Sequence, residues 1–327
     1  MSEDKYVEYP STSYKEMGRI FGKEQIKLSK ITGWVFKIPS KDSILIAYKI
    51  EAILREIFPE ILEEIRGIAE ETGYEYPVVL ANIVLCGSRE YLELKEMCIS
   101  MAVRSELGYI LALNYEQWEE LKVFRYFFRR NPISRLPSVS GTDCYIGATD
   151  GMNGVGLALT SLKVSDRICG IGISPQLLCR IALDSCRSVD EFINLARRVP
   201  HLLQWNFLAS DGDRAVKVEV HGGRKLKVIE ISDDIFVAGN HFEGQINSPS
   251  YKRVKEVYYF LKKRRPRNPE DLIDILGTHD PEICFHGSDN HPPVISSSVY
   301  WPAKRRAWIA SDKPCSASFR EIYLIQT

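Results

Sequence analysis

The sequence predicts a layered α/β sandwich, and three observations carry that reading. The first ninety of its 327 residues place apolar side chains at helical spacing. From Cys98 onward, short alternating strands follow one another across turns rich in Gly, Asp and Asn. Two helix-turn-helix pairs interrupt those strands. Strands therefore come in groups and helices in groups, unlike the βαβ alternation of a parallel sheet.

Tyr14 to Phe36 carries Met17, Ile20, Phe21, Ile26 and Ile31 at broadly helical spacing and predicts the first helix. Ile44 to Glu70 follows, broken near Pro59, and Tyr76 to Leu85 predicts a third helix. The richest apolar run, Ile44 to Ile68, is interrupted by Lys49, Glu51, Arg55, Glu56 and Glu60. It reads as amphipathic helix and not as a membrane span.

Residues 97 to 118, MCISMAVRSELGYILALNYEQW, predict a hairpin. Cys98, Ser100 and Ala102 alternate with Ile99, Met101 and Val103, giving a strand with two unlike faces. Ser105-Glu106-Leu107-Gly108 supplies the turn, and its glycine tolerates positive φ. Tyr109 to Leu113 then returns and brings Asn114, Glu116 and Gln117 near the start of the first strand. A thiol, an amide and a carboxylate meet there. The same pattern also describes an ordinary hairpin with a buried cysteine.

Further hairpins are expected from Tyr145–Ala148 with Val155–Lys163 across a turn at 151–154. Others join Trp205–Ser210, Ala215–Val220 and Lys225–Ile231, with turns at 211–213 and 222–223. Ile235–Asn240, Ile295–Trp301, Ala307–Ser311 and Arg320–Ile325 complete the strands. The helix pairs are Pro175–Cys186 with Val189–Val199, capped by Ser188, and Pro249–Lys263 with Asn268–Leu276.

Lys plus Arg equals Asp plus Glu at 43 each, so no overall field favours nucleic acid or an anionic membrane. The basic run Lys262 to Arg267 reads as a solvated helix end. The opening MSEDKYVEYP has no apolar core of a secretory signal. The eight cysteines contain no C-x-x-C pair. A reduced, cytoplasmic setting is therefore expected, with Cys144, Cys169, Cys179 and Cys186 as packing residues. His279, Asp280, His286, Asp289 and His291 match no standard zinc spacing and lie among turn-forming pairs. They read as a polar loop, so neither metal nor cofactor is expected.

The ordered motifs resemble a known family nearly end to end. SYKEMGRIFG at 13–22 resembles a Tyr-x-x-x-Gly-x-x-x-Gly signature, and CISMAVRSELGYILALNYEQW a Cys-(Thr/Ser)-Ser opening with an Asn-x-Asp return strand. GMNGVGLAL at 151–159, GNHF at 239–242 and SPSYKRV at 248–254 follow in the family's order. LIDILGTHDPEICFHG and SSSVYWPAKRRAWIASDKP resemble its closing segments. The chain is thus similar to the acyl-coenzyme A:6-aminopenicillanate acyltransferase-like group of cysteine N-terminal-nucleophile (Ntn) hydrolases, related to acid ceramidase-type and choloylglycine-type amidases.

That resemblance implies a four-layer αββα sandwich and a precursor cut immediately before the nucleophile, here between Met97 and Cys98. The cut would separate a helical segment, 1–97, from a strand-rich core, 98–327. It implies a linear non-peptide amide as substrate, with an amine or an acyl-coenzyme A as possible co-substrate. An uncut thioesterase-like enzyme and a silent binding protein of the same fold are the rival readings. The chain departs from the pattern at Met97 (commonly Gly), Glu116 (Asp), Gly154 (Glu) and Gly239 (Thr).

Amide cleavage needs a strong nucleophile, a nearby base and a stabilised oxyanion. Scission before Cys98 would free an α-amine of reference pKa roughly 7.7–8.0, able to take and return the thiol proton. On the resemblance, Cys98 is the nucleophile and Asn240 the oxyanion donor. Asn114 would orient the amine or substrate, Glu116 would bind the ammonium form, and Arg253 would steady thiolate or carbonyl.

Overall fold

In the computed structural model, which describes residues 5–33, 36–88 and 98–324, the layers expected from the sequence are present. The short strand β1 (Tyr6–Glu8) precedes four helices, α1 (Tyr14–Thr32), α2 (Lys41–Ile57), α3 (Glu60–Thr72) and α4 (Tyr76–Val84). Ser13 and Ser40 cap α1 and α2 through their side chains, and Gly33 and Gly73 close α1 and α3 in the left-handed conformation. The hairpin β2 (Ile99–Ser105) and β3 (Gly108–Glu116) comes next, then β4 (Tyr126–Arg130), β5 (Ser138–Thr142), β6 (Asp150–Asn153) and β7 (Ala158–Ser165).

Helices α5 (Pro175–Ser185) and α6 (Val189–Arg198) follow, the latter capped by Ser188 as expected. Strands β8 (Gln204–Ser210), β9 (Ala215–Val220), β10 (Leu226–Glu230) and β11 (Ile235–Ala238) lead to α7 (Pro249–Arg264) and α8 (Pro269–Leu276). Strands β12 (Val294–Trp301), β13 (Arg306–Ala310) and β14 (Arg320–Tyr323) end the described chain.

The strands form two sheets, an eight-stranded one in the order β1-β4-β5-β6-β7-β8-β9-β10 and a six-stranded one in the order β11-β2-β3-β12-β13-β14. Side-chain alternation sorts the layers. In β2, Cys98, just before the strand, and Ala102 face a core between the sheets, packed with Phe127, Val139, Leu162 and Leu208. Ile99, Met101 and Val103 face the opposite way, against Val257, Leu261, Leu272 and Ile275 of α7 and α8. On the far side of the larger sheet, α1 to α6 share one core with Val216 and Val218 of β9. The order is helices, sheet, sheet, helices: the four-layer αββα sandwich that the resemblance implies.

The helical segment is bolted to the core by buried polar contacts. Arg180 of α5 bonds Asp184 at 2.7 Å and pairs with Glu64 of α3 at 3.2 Å. Tyr14 donates its hydroxyl to Asp184 at 2.8 Å. Burial pushes the Glu64 carboxyl above its ordinary range, against the pull of Arg180.

Three local expectations are corrected. Residues Tyr145–Ala148 form a turn with Tyr145 at φ 50, and the strand begins at Asp150. The hairpin turn starts three residues later than expected, at Gly154-Val155-Gly156, where Asn153 Oδ1 accepts from the amides of Val155 and Leu157. Cys144, expected as a reduced packing residue, forms a disulfide with Cys86, and Cys169, expected to pack, is exposed. Strands β1, β4 and β5 have no counterpart in the sequence reading. They are short, and β5 (SVSGT) carries little apolar alternation.

Candidate active site

Cys98 stands at the edge of the inter-sheet core, where β2 begins, and its side chain is fully buried. Its Sγ meets the return strand. The Glu116 amide donates to Sγ at 3.3 Å, and the Glu116 carbonyl lies 3.8 Å away. The β2–β3 register, with Ile99 opposite Asn114, puts Cys98 beside the last residues of β3. The two strands and the turn at 105–108 are those read from the sequence, but what Sγ meets is the Glu116 backbone, while the Asn114 and Glu116 side chains find partners elsewhere.

Asn240 approaches from the other neighbour of β2. The β11–β2 pairing ends with Ala238 opposite Ser100, so two more residues bring Asn240 level with Cys98. Its side chain crosses toward the larger sheet and donates to the Lys163 carbonyl at 2.8 Å. Asn240 Oδ1 is buried and finds no hydrogen-bond donor among the described residues. Its own amide is held by Ser250 Oγ at 2.8 Å, and the same hydroxyl meets His241 Nδ1 at 3.0 Å. This explains Gly239: a Cβ there would sit 2.4 Å from Ser250 Oγ, so a larger residue would displace the hydroxyl that orients Asn240.

Glu116 and Arg253 form an ion pair at 2.6 Å, with Glu116 wholly buried and Arg253 nearly so. Arg253 also donates to the Glu282 carbonyl at 3.0 Å. Desolvation raises the Glu116 carboxyl to about 7 although Arg253 pulls it down. The pair is thus poised between ionic and protonated forms near neutral pH.

Asn114 is used differently from the expectation. Its Nδ2 donates to the carbonyls of Leu276 at 2.9 Å and Ile283 at 2.8 Å, while Oδ1 accepts from Ser297 at 2.6 Å. Every hydrogen of that amide is spent on the loop after α8, so it ties this loop to β3 and has none left for an amine or substrate. Met97 lies outside the described residues, and so does the expected scission bond.

One cluster escaped the sequence reading. Arg125 pairs with Asp150 at 2.7 Å between the sheets, and Asp150 also accepts from Thr149, Ser298 and Tyr300 at 2.7, 2.8 and 2.6 Å. Arg125 stacks 4.3 Å from the Tyr115 ring, next to Glu116. The SSS run at 296–298 carried the only signal. Its three hydroxyls serve Arg125, Asn114 and Asp150 in turn. Away from this region, His279, Cys284, His286 and Cys315 form the one group of metal-ligating type among the described residues.

Residues 104–316 match the family model for acyl-coenzyme A:6-aminopenicillanic acid acyl-transferase. No curated protein matches the chain. A variant of conjugated bile acid hydrolase from Clostridium perfringens is similar in structure at TM-score 0.50 and 14% identity, covering 69% of this chain and 92% of that one. Penicillin V acylase from Agrobacterium tumefaciens gives TM-score 0.49 and 14% identity over 70% and 88% of the two chains. The N-acylethanolamine-hydrolyzing acid amidase ortholog of Caenorhabditis elegans gives 0.49 and 14% over 63% and 93%. At such identities the likeness concerns the fold. The family match spans more than half of the sequence and includes β3, Asn240 and Arg253. The chain belongs to the acyl-coenzyme A:6-aminopenicillanic acid acyl-transferase family and has the Ntn-hydrolase fold.

Proposed function

We propose that this protein is a self-processing cysteine amidohydrolase or acyltransferase that acts on linear, non-peptide amides through a thioester on Cys98. The observation that carries the reading is the meeting of Cys98, the Glu116 amide and Asn240 where β2 begins, flanked by the Glu116–Arg253 pair. Family membership and the amide-cleaving names of the structural neighbours agree with it.

In this reading scission of the Met97–Cys98 bond frees the α-amine of Cys98. The amine takes the thiol proton, and the thiolate attacks the substrate carbonyl carbon. The Asn240 Nδ2 hydrogen that is not given to the Lys163 carbonyl stabilises the oxyanion. Collapse breaks the C–N bond as the amine returns its proton to the leaving nitrogen. Water or a second amine then cleaves the thioester and restores the thiol. Glu116 and Arg253 hold charge beside the ammonium, and Asn114 serves as a positioning residue for the loop after α8. The helical segment 1–97 and the core 98–327 would be the two chains of the mature enzyme. A small acyl-amide is the substrate class, with an amine or acyl-coenzyme A as acceptor or donor where transfer replaces hydrolysis.

A second reading, an uncut thiol enzyme, draws on the Glu116 carboxyl raised to about 7, which would supply a base without scission. Mass spectrometry of the reduced protein separates the two. The first requires a C-terminal fragment of 327 − 97 = 230 residues beginning at Cys98. It also requires release of free amine from N-acyl amines, N-acyl amino acids or penicillins, lost in Cys98→Ala. A chain that stays whole while it hydrolyses amides, in the wild type and in Met97→Gly, defeats the amine-base mechanism.

A further inference from the structure

We propose that His279, Cys284, His286 and Cys315 bind a structural zinc ion that fastens the loop after α8 to the segment before β14. The four are spread over 37 positions of sequence, and no zinc-like spacing joins them. The fold nevertheless gathers them. One ligand atom from each lies within 4.8 Å of every other. His286 Nε2 is 3.3 Å from Cys315 Sγ and 3.8 Å from Cys284 Sγ, and the rings of His279 and His286 stand edge to face at 4.9 Å.

Those separations suit one ion. With Zn–S of about 2.3 Å and Zn–N of about 2.0–2.1 Å, a tetrahedral site sets sulfur and nitrogen ligands roughly 3.6 Å apart. The two observed S–N separations bracket that value. The remaining closure of about 1 Å at the widest pair falls to exposed side chains that turn freely, since only Cys284 is buried. Two thiolates and two neutral imidazoles balance the charge of Zn²⁺. A tetrahedral S₂N₂ set selects zinc over the oxygen-seeking Mg²⁺ or Ca²⁺.

The backbone prepares the site. The amides of Ile283 and Cys284 both donate to the Thr278 carbonyl, at 3.2 and 2.7 Å, folding the loop so that His279 and Cys284 come together. Gly277 lies against Cys315, where a Cβ would be 3.3 Å from the Cys315 Cα. Four protein ligands leave no open position for water, so the ion's role is structural. What it would hold is specific: the loop whose Leu276 and Ile283 carbonyls take Asn114, and whose Glu282 carbonyl takes Arg253. The loop read from sequence as merely polar thus becomes a clasp behind the Cys98 site, and the proposal stands whatever Cys98 does.

The test uses the full chain, purified under reductant, stripped with a chelator, and titrated with Zn²⁺ or with Co²⁺ as a spectroscopic probe. Expected are one equivalent of zinc, a tetrahedral cobalt d–d spectrum with a thiolate charge-transfer band, and a melting temperature that rises with zinc. Cys315→Ser and His286→Ala, both at exposed positions, should lose the charge-transfer intensity and the thermal response while keeping the far-ultraviolet circular dichroism of wild type. His291→Ala, outside the cluster, should keep all of them. A featureless or octahedral cobalt spectrum, binding unchanged in Cys315→Ser and His286→Ala, or a Cys284–Cys315 disulfide whose reduction uncovers no metal binding would overturn the proposal.

Discussion

Gly18 of α1 and Glu64 of α3 meet backbone to backbone: a Cβ added at Gly18 would sit 2.0 Å from the Glu64 carbonyl oxygen. The relation is reciprocal, for a Cβ at Gly67 would lie 2.0 Å from the Lys15 carbonyl oxygen. Gly22, one turn on, faces the Glu71 Cβ at 2.9 Å. The Tyr-x-x-x-Gly-x-x-x-Gly motif is therefore a helix-crossing device. Tyr14 anchors it to Asp184, and the glycines let α1 and α3 touch.

Gly18→Ala should accordingly destabilise the fold without touching Cys98. Overpacking a rigid backbone contact costs about 1–3 kcal/mol, and a gain in helix propensity of about 1 kcal/mol offsets part of it. The expected result is a lower urea midpoint with an unchanged slope. A midpoint equal to or above wild type would show that the crossing yields easily.

The Cys86–Cys144 disulfide spans the expected scission point, since Cys86 precedes it and Cys144 follows it. If the chain is cut before Cys98, wild type should run as one band on a non-reducing denaturing gel and as two after reduction. Cys86→Ser should give two bands under both conditions. Two bands from wild type without reductant would mean that the cross-link is absent in solution.

Asn240→Ala should lower kcat by roughly 10²–10³ with little change in KM, as loss of an oxyanion donor does. Its fold should survive, because among the described residues the side chain makes a single bond, to Lys163. A large fall in melting temperature with normal turnover per folded molecule would make Asn240 a structural turn residue.

Glu116 sets a pH dependence of stability with a definite sign. Its carboxyl is raised from an ordinary 4.5 to about 7 in the folded protein, so the native state holds the extra proton between those values. Its contribution is then full below about pH 4.5 and is lost as pH rises through about 7. Buried His201 and His241, both lowered to about 4 by desolvation, pull the other way as pH falls below their usual range. The difference between wild type and Glu116→Gln isolates the carboxyl. Melting temperatures from pH 5 to 8 should fall less in the variant, and parallel curves would place the Glu116 pKa outside that window.

Local periodicity made much of this molecule legible. The two faces of β2 followed from the alternation at 98–103, and the helix starts at Ser188 and Pro249 from capping chemistry. The order of short motifs pointed to the family, and with it to the Cys98 hairpin. Strands β4 and β5 were hidden because a short strand flanked by partners on both sides needs no pattern of its own. Asn114 was misassigned for a related reason. A side-chain amide looks the same in sequence whether it faces a ligand or two carbonyls that come from 162 and 169 residues away.

What the sequence alone determined, then, is the set of faces, caps and turns, because backbone geometry with periods of 2 and 3.6 residues acts over a few positions. Only the tertiary structure decided that Cys86 reaches Cys144, that Gly18 lies on Glu64, and that Cys315 joins His279, Cys284 and His286. Such meetings depend on how packed layers close long stretches of chain into loops. Loop closure costs entropy that grows only slowly with length, so separation along the chain gives almost no hint of which distant residues will touch.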